Sequence, residues 1–140
     1  MKIYFAGSIR GGRAHADWYP IILFHLRTHG EVFTEHVAEP AQLNVDHKRP
    51  ETEIYTRDLG WLEASDILVA DVSVASLGVG YEIGWAEAHH KHILCLCHAD
   101  MFSSLSAMIR GNRALTVRVY HTKDEIEQQI NNFFTQKSTL

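Results

Sequence analysis

A chain of 140 residues with 46% hydrophobic and 21% charged side chains has the make-up of one folded domain with a real core, expected over 1–140. Its formal charge of −4 argues against a general nucleic-acid binder, which carries a basic face, but leaves room for a local cluster holding a small phosphorylated ligand. No secretory leader and no apolar run of roughly 18 residues is visible, so no membrane partner is expected, and residence is expected in the cytoplasm, or also the nucleus in a eukaryote.

Lys2–Ala6 predicts a short buried strand that runs into Gly7-Ser-Ile-Arg-Gly-Gly12, where glycines permit tight turns and close backbone approach. Apolar residues at 18, 19, 21–24 and 26 predict a buried amphipathic helix over Ala14–His29, with Pro20 tolerated near its first turn and Gly30 expected as the left-handed residue that ends it. Glu31–Thr34 predicts a second strand. Residues 35–50 are polar, carry Pro40, Pro50, His36 and His47, show no period, and read as a functional loop. Glu51–Ala64 predicts a helix, Asp66–Val72 a strand, and Ser76–Gly80 a glycine-rich turn before a helix over Tyr81–His90. His92–Cys97 predicts a fourth strand, whose two cysteines, Cys95 and Cys97, lie on one side, a poor geometry for a disulfide and a good one for reduced core residues. Ser103–Gly111 predicts a short helix and Leu115–Tyr120 a fifth strand. Thr122-Lys-Asp-Glu125 resembles a capping box for a closing helix that buries Ile126, Ile130, Phe133 and Phe134, with 135–140 expected to fray.

This β/α alternation predicts an α/β fold: a parallel sheet with helices on both faces. Ligands of such sheets bind outside the carboxyl ends of the strands, which selects the loops 7–13, 34–50, 71–82 and 98–111. Two glycine-rich turns there, one with Arg10 and one with Ser76, fit a phosphate cradle, although each alone is also an ordinary tight turn; neither is a P-loop or a Gly-x-Gly-x-x-Gly motif. Glu82 is either a first-turn acid favoured by the helix dipole, worth under about 1 kcal/mol, or a carboxylate held at a strand's mouth as nucleophile or base. Asp58 is either a solvated helix residue or a second acid at the same edge. Asp71, at the end of the third strand, is expected to face the site and position ligand hydroxyls, and Tyr4 to reach a site carboxylate or simply to pack. Two carboxylates across a pocket can cleave a glycosidic bond, one attacking the anomeric carbon and the other assisting the leaving group. The ten histidines include a cluster, His89, His90 and His92, but its spacing suits no known metal site, and no metal is expected. Trp18, Trp61 and Trp85 read as core.

The segments Tyr4-Phe-Ala-Gly-Ser-Ile-Arg-Gly-Gly12, Thr34-Glu-His-Val37, Asp58-Leu-Gly-Trp-Leu62, Ser76-Leu-Gly-Val-Gly-Tyr-Glu-Ile-Gly84, Ile93-Leu-Cys-Leu96 and Leu105-Ser-Ala-Met-Ile-Arg-Gly111 resemble, in this order, the nucleoside 2-deoxyribosyltransferase family, and within it the branch acting on 5′-monophosphates. The resemblance implies a flavodoxin-like three-layer fold with a five-stranded parallel sheet, a homodimer, and no cofactor. It implies a glycosidase that hydrolyses the N-glycosidic bond of 2′-deoxynucleoside 5′-monophosphates, giving free base and 2-deoxyribose 5-phosphate. Glu82 would be the nucleophile forming a deoxyribosyl ester, Tyr4 would orient it, and Asp58 would assist the departing base. Gly7, Ser8, Ile9, Arg10, Gly11, Ser76, Gly78 and Met108 would contact substrate, and Ser106 would reach the phosphate from the other subunit. Family members that use free nucleosides resemble Asp and Asn at the positions of Ser76 and Ser106; serine donates hydrogen bonds to a phosphate without adding negative charge. Base exchange between free deoxynucleosides and a non-catalytic nucleotide-binding module are the alternative functions.

Overall fold

The computed structural model describes residues 1–38 and 48–137; Pro40 and His47 of the expected functional loop, and the last three residues, lie outside them. The strands are β1 (Lys2–Ala6), β2 (Glu31–Phe33), β3 (Ile67–Asp71), β4 (His92–His98) and β5 (Thr116–Tyr120). They form one sheet in the order β2-β1-β3-β4-β5, with every adjacent pair parallel. Among the described residues the α-helices are α1 (Tyr19–Leu26), α2 (Glu51–Ala64), α3 (Leu77–Ala88), α4 (Ala107–Arg110) and α5 (Lys123–Lys137), with 3-10 turns at Ala16–Trp18, Glu35–Ala38 and Ala99–Ser104. This is the doubly wound, flavodoxin-like order, and it opens a crevice beyond the carboxyl ends of β1 and β3, where the winding changes direction. No helix among the described residues is long and apolar enough to cross a membrane.

Strand alternation decides which side chains meet. Ile3, Phe5, Ile67, Val69, Leu94 and Leu96 point to one face, where they pack with Tyr19, Ile22 and Leu23 of α1 and Ile126, Ile130 and Phe134 of α5. Tyr4, Ala6, Leu68, Ala70, Cys95 and Cys97 point to the other, against Leu62 of α2 and Val79, Ile83 and Ala86 of α3. The cysteines are buried and unbridged. Trp61 and Trp85 are partly buried against this second cluster and Trp18 against the first.

Several boundaries differ from expectation. Helix α3 starts at Leu77, so Ser76–Gly80 is the helix's first turn rather than a loop ahead of it. The predicted helix at 103–111 is a 3-10 turn and a short α4 separated by Leu105 and Ser106. α5 runs through Lys137 rather than fraying at 135. The Thr122 hydroxyl caps Glu125 N–H at 3.2 Å, while the Glu125 carboxylate accepts from His121 N–H at 2.5 Å, a capping box shifted by one residue. Where β2 stops, Thr34 adopts φ 68 and its hydroxyl takes the Phe5 N–H at 3.1 Å, substituting for a strand partner.

Gly30 is not a left-handed helix end. α1 closes at Arg27 in the right-handed region, and a Cβ on Gly30 would lie 2.3 Å from the Met1 carbonyl oxygen, so the residue is glycine because β1 passes it closely. Gly60, on the exposed side of α2, has nothing within 4 Å of such a Cβ. The two Gly→Ala changes therefore have opposite expected signs: Gly30→Ala destabilises by about 1–3 kcal/mol, and Gly60→Ala stabilises by about 0.5–1 kcal/mol, read as shifts of the urea midpoint.

Candidate active site

The crevice holds a cavity of about 620 Å³. Gly7, Ile9, Arg10 and Gly11 from the turn after β1 form one wall; Glu51, Ile54, Tyr55 and Asp58 from α2 form another; Ser76, Leu77, Gly78, Val79 and Glu82 from the start of α3 form the third. The α2 residues sit at the i, i+3, i+4, i+7 spacing of one helical stripe. A smaller space of about 180 Å³ adjoins it, sharing Tyr55, Asp58, Gly78 and Glu82 and reaching Tyr4.

One half of the cavity gathers hydrogen-bond donors at the start of α3. Ser76 is the N-cap of α3, its hydroxyl oxygen accepting the Val79 N–H at 3.3 Å. As an acceptor in that bond it keeps its own proton to donate. The Gly80 N–H is satisfied by the Ser76 carbonyl at 3.0 Å, which leaves the N–H groups of Leu77 and Gly78 without an intrahelical acceptor at the positive end of the helix dipole. The two glycine-rich segments are in contact: a Cβ on Gly11 would fall 2.4 Å from the Ala75 carbonyl oxygen. Arg10 reaches across the mouth to Glu51 at 2.8 Å, both side chains largely exposed.

The other half is built around Glu82. Alternation points Tyr4 toward α3, and its hydroxyl donates to Glu82 Oε1 at 2.6 Å. Glu82 stands in the second turn of α3, past the reach of the first-turn N–H groups. Burial, and secondarily the nearby charge of Asp58, push its carboxyl up to about 7; the Tyr4 hydrogen bond opposes them. Burial and the same carboxylate raise the Tyr4 phenol, which stays protonated as the donor. Asp58 Oδ1 accepts from Arg57 Nε and Nη2, each at 2.8 Å, and the guanidinium lies 4.7 Å from the centre of the Trp61 ring. That clamp fixes the Asp58 rotamer at the cavity wall.

The structure thus gathers Tyr4, Gly7, Ile9, Arg10, Gly11, Asp58, Ser76, Gly78 and Glu82 at the crevice and its adjoining space. Ser8 lies beneath the turn: it is wholly buried, its carbonyl receives the Tyr19 hydroxyl at 3.4 Å, and its own hydroxyl has no partner among the described residues. Asp71 is not brought to the crevice. It follows Ile67 and Val69 onto the opposite sheet face, where Tyr120 donates to Oδ2 at 2.7 Å and Ser73 N–H to Oδ1 at 3.0 Å, so it cannot position ligand hydroxyls in that crevice. Ser106 and Met108 line a separate groove of about 800 Å³ on the other side of the α3 N-terminus, and Met108 is 80% exposed. His89 stacks on Trp85 at 3.6 Å, and among the described residues no three His, Cys, Asp or Glu side chains gather as a metal site requires. Not foreseen were Glu51, Ile54 and Tyr55, which share the Asp58 stripe, and Arg57, whose clamp needs the folded helix to be seen.

The model of the family described as nucleoside 2-deoxyribosyltransferase matches residues 3–131. The chain belongs to the nucleoside 2-deoxyribosyltransferase family. Within the family, it is 46% identical over 143 residues to a Trichoplax adhaerens protein provisionally named 2′-deoxynucleoside 5′-phosphate N-hydrolase 1, covering 99% of this chain and 96% of that one. It is 44% identical over 138 residues to the 5-hydroxymethyl-dUMP N-hydrolase of Danio rerio, covering 96% of each. Among solved structures, the Clostridium botulinum CMP N-glycosidase superposes with a TM-score of 0.65 over 95% of this chain and 99% of that one, at 21% identity, and so shares the fold.

Glu82 carries a testable signature of this site. A carboxyl held near 7 keeps its proton longer in the folded than in the unfolded chain, so the cost of ionising it is absent below about pH 4.5 and grows as pH rises to about 7. Glu82→Gln should therefore stabilise the protein at pH 8 by up to about 3 kcal/mol and not at pH 4, in urea unfolding at the two pH values. Carbon NMR should place the Glu82 midpoint higher in Tyr4→Phe and lower in Asp58→Asn.

Proposed function

We propose that this family member hydrolyses the N-glycosidic bond of 2′-deoxynucleoside 5′-monophosphates, releasing free base and 2-deoxyribose 5-phosphate. The observation that carries the reading is the Tyr4–Glu82 hydrogen bond of 2.6 Å in a cavity whose other end is the capped N-terminus of α3. One carboxylate is oriented for attack, and one anion site lies on the same helix. The names of relatives at 42–46% identity support the same chemistry.

In the proposed course, the phosphate lies against Ser76 and the Leu77 and Gly78 N–H groups, with the turn at Gly7–Gly11 closing over it. Tyr4 engages Oε1 of Glu82, so Oε2 attacks C1′ of the sugar. The C1′–N bond breaks, its electron pair leaves with the base, and Asp58 supplies the proton or hydrogen bond that makes the base a tolerable leaving group. Water then attacks C1′, its proton passes to Asp58, and the ester bond returns its electrons to Glu82. Attack needs Glu82 ionised, so turnover should rise with pH through about 7 on the acid limb.

The proposal extends to a homodimer. In one chain Ser106 lies in the groove beyond α3, and that groove shares Gly11, Ser76, Leu77 and Val79 with the crevice. Leu77 at 96% exposed, Tyr81 at 55% and Met108 at 80% border it, an apolar rim of the kind that associates. A second copy seated there would bring Ser106 of the partner subunit to the phosphate. Cytoplasmic or nuclear residence, which suits the unbridged cysteines, belongs to the same proposal.

The deciding experiment incubates the protein with each deoxynucleoside monophosphate, and separately with a free deoxynucleoside plus a second base. Free base from the monophosphate is the expected result. Exchange of bases without net hydrolysis would establish the transferase activity instead, and binding without product a non-catalytic module. Glu82→Gln should lose at least about 10³-fold in turnover while still binding nucleotide. Mixing Glu82→Gln with Ser106→Ala protomers should restore part of the activity if the site is shared.

A further inference from the structure

The buried acid that the proposed chemistry leaves unused is Asp71, fully enclosed on the sheet face away from Glu82. An apolar residue at the end of β3 would fill this space without desolvating a carboxylate, so the carboxylate must supply something that apolar packing cannot. It supplies acceptors. Oδ1 takes the Ser73 N–H at 3.0 Å and Oδ2 the Tyr120 hydroxyl at 2.7 Å. Ser73 in turn accepts the His98 N–H on its hydroxyl at 2.8 Å, and the Val72 N–H donates to the Leu96 carbonyl at 2.8 Å. Trp18 and His98 wall the Tyr120 ring, with centroids 5.3 and 5.4 Å away. The chain leaving β3 is thereby tied to the ends of β4 and β5 through Asp71, Val72 and Ser73.

The anion-binding turn comes next along the chain. Ala75 presents the carbonyl against which Gly11 packs, and Ser76 caps α3. Glu82 is held independently, by Tyr4 and by the packing of Val79, Ile83 and Ala86. We propose that Asp71, acting through Ser73 and Tyr120, is a positioning residue that sets the phosphate-binding turn from the opposite face of the sheet. This rests on the phosphate reading of Ser76 and the α3 N-terminus.

The test uses Asp71→Asn, Tyr120→Phe and Ser73→Ala, so that one poorly folding variant does not end it. Two experiments are run: the affinity for inorganic phosphate is measured by calorimetry, and kcat and KM are measured for a deoxynucleoside monophosphate against the same unphosphorylated deoxynucleoside. A displaced turn should weaken phosphate binding by about tenfold and raise KM for the monophosphate by a similar factor, with a change under about threefold for the unphosphorylated nucleoside. Unchanged phosphate affinity in all three variants would overturn the proposal. So would an equal loss of kcat on both substrates, the mark of a generally loosened fold. If the wild-type protein released no base from any monophosphate, the functional reading would fall, and the phosphate titration would still decide the role of Asp71.

Discussion

The hydrogen bond from Tyr4 to Glu82 is the contact on which the rest of the site depends. It joins the second residue of a central strand's core stretch to the second turn of a helix 78 residues later. It exists only because alternation along β1 sends Tyr4 to the α3 face, and because β1 lies next to β3, whose exit loop feeds α3. The bond orients one carboxylate oxygen, and in the proposed function the other meets the substrate. Burial opposes ionisation there, and the phenol offsets part of that cost, leaving Glu82 poised near neutrality.

The helix that carries Glu82 also carries the proposed anion site, and this arrangement would reconcile two opposed electrostatic demands. A phosphate needs free N–H groups and no negative neighbour, whereas glycosidic attack needs a carboxylate. Ser76 and Glu82 are separated by roughly 9 Å of helical rise, so in the proposed function the dipole's positive end would serve the phosphate while the acid acts beyond its first turn. Val79, Ile83 and Ala86 pack the body of the helix that holds Glu82, while the chain ahead of Ser76 sets where the helix begins. Asp58 reaches the same cavity from α2, its rotamer set by Arg57 and the Trp61 ring.

Much of this was legible in the residues. Each β-strand follows from apolar periodicity to within a residue or so and Glu51–Ala64 matches throughout, whereas the helix expected from Ala14 opens as a 3-10 turn at Ala16 and is α-helical only over Tyr19–Leu26. The start of α3 is different, because Gly78, Gly80 and Gly84 read as turn by propensity, yet Ser76 capping and core packing carry the helix through them. Asp71 shows a second failure of reading by proximity. It is adjacent to the site in sequence, but the period of two that fixes Ile67 and Val69 sends it to the other face. Gly30 looks like a helix end and is a close approach to Met1. The place of Ser106 beyond α3 follows from the break between the Ala99–Ser104 turn and α4, which has no clear periodic signal.

The central claim is that Glu82 bonds to the sugar and water later releases it, which requires two displacements at C1′. Turnover of a β-configured deoxynucleoside monophosphate in water containing methanol reports this directly, since methanol can replace water in the second step. Proton NMR of the methyl 2-deoxyriboside 5-phosphate formed should show the β configuration, retained from the substrate. A product of α configuration would mean a single displacement by solvent, and would contradict the assignment of Glu82 as nucleophile.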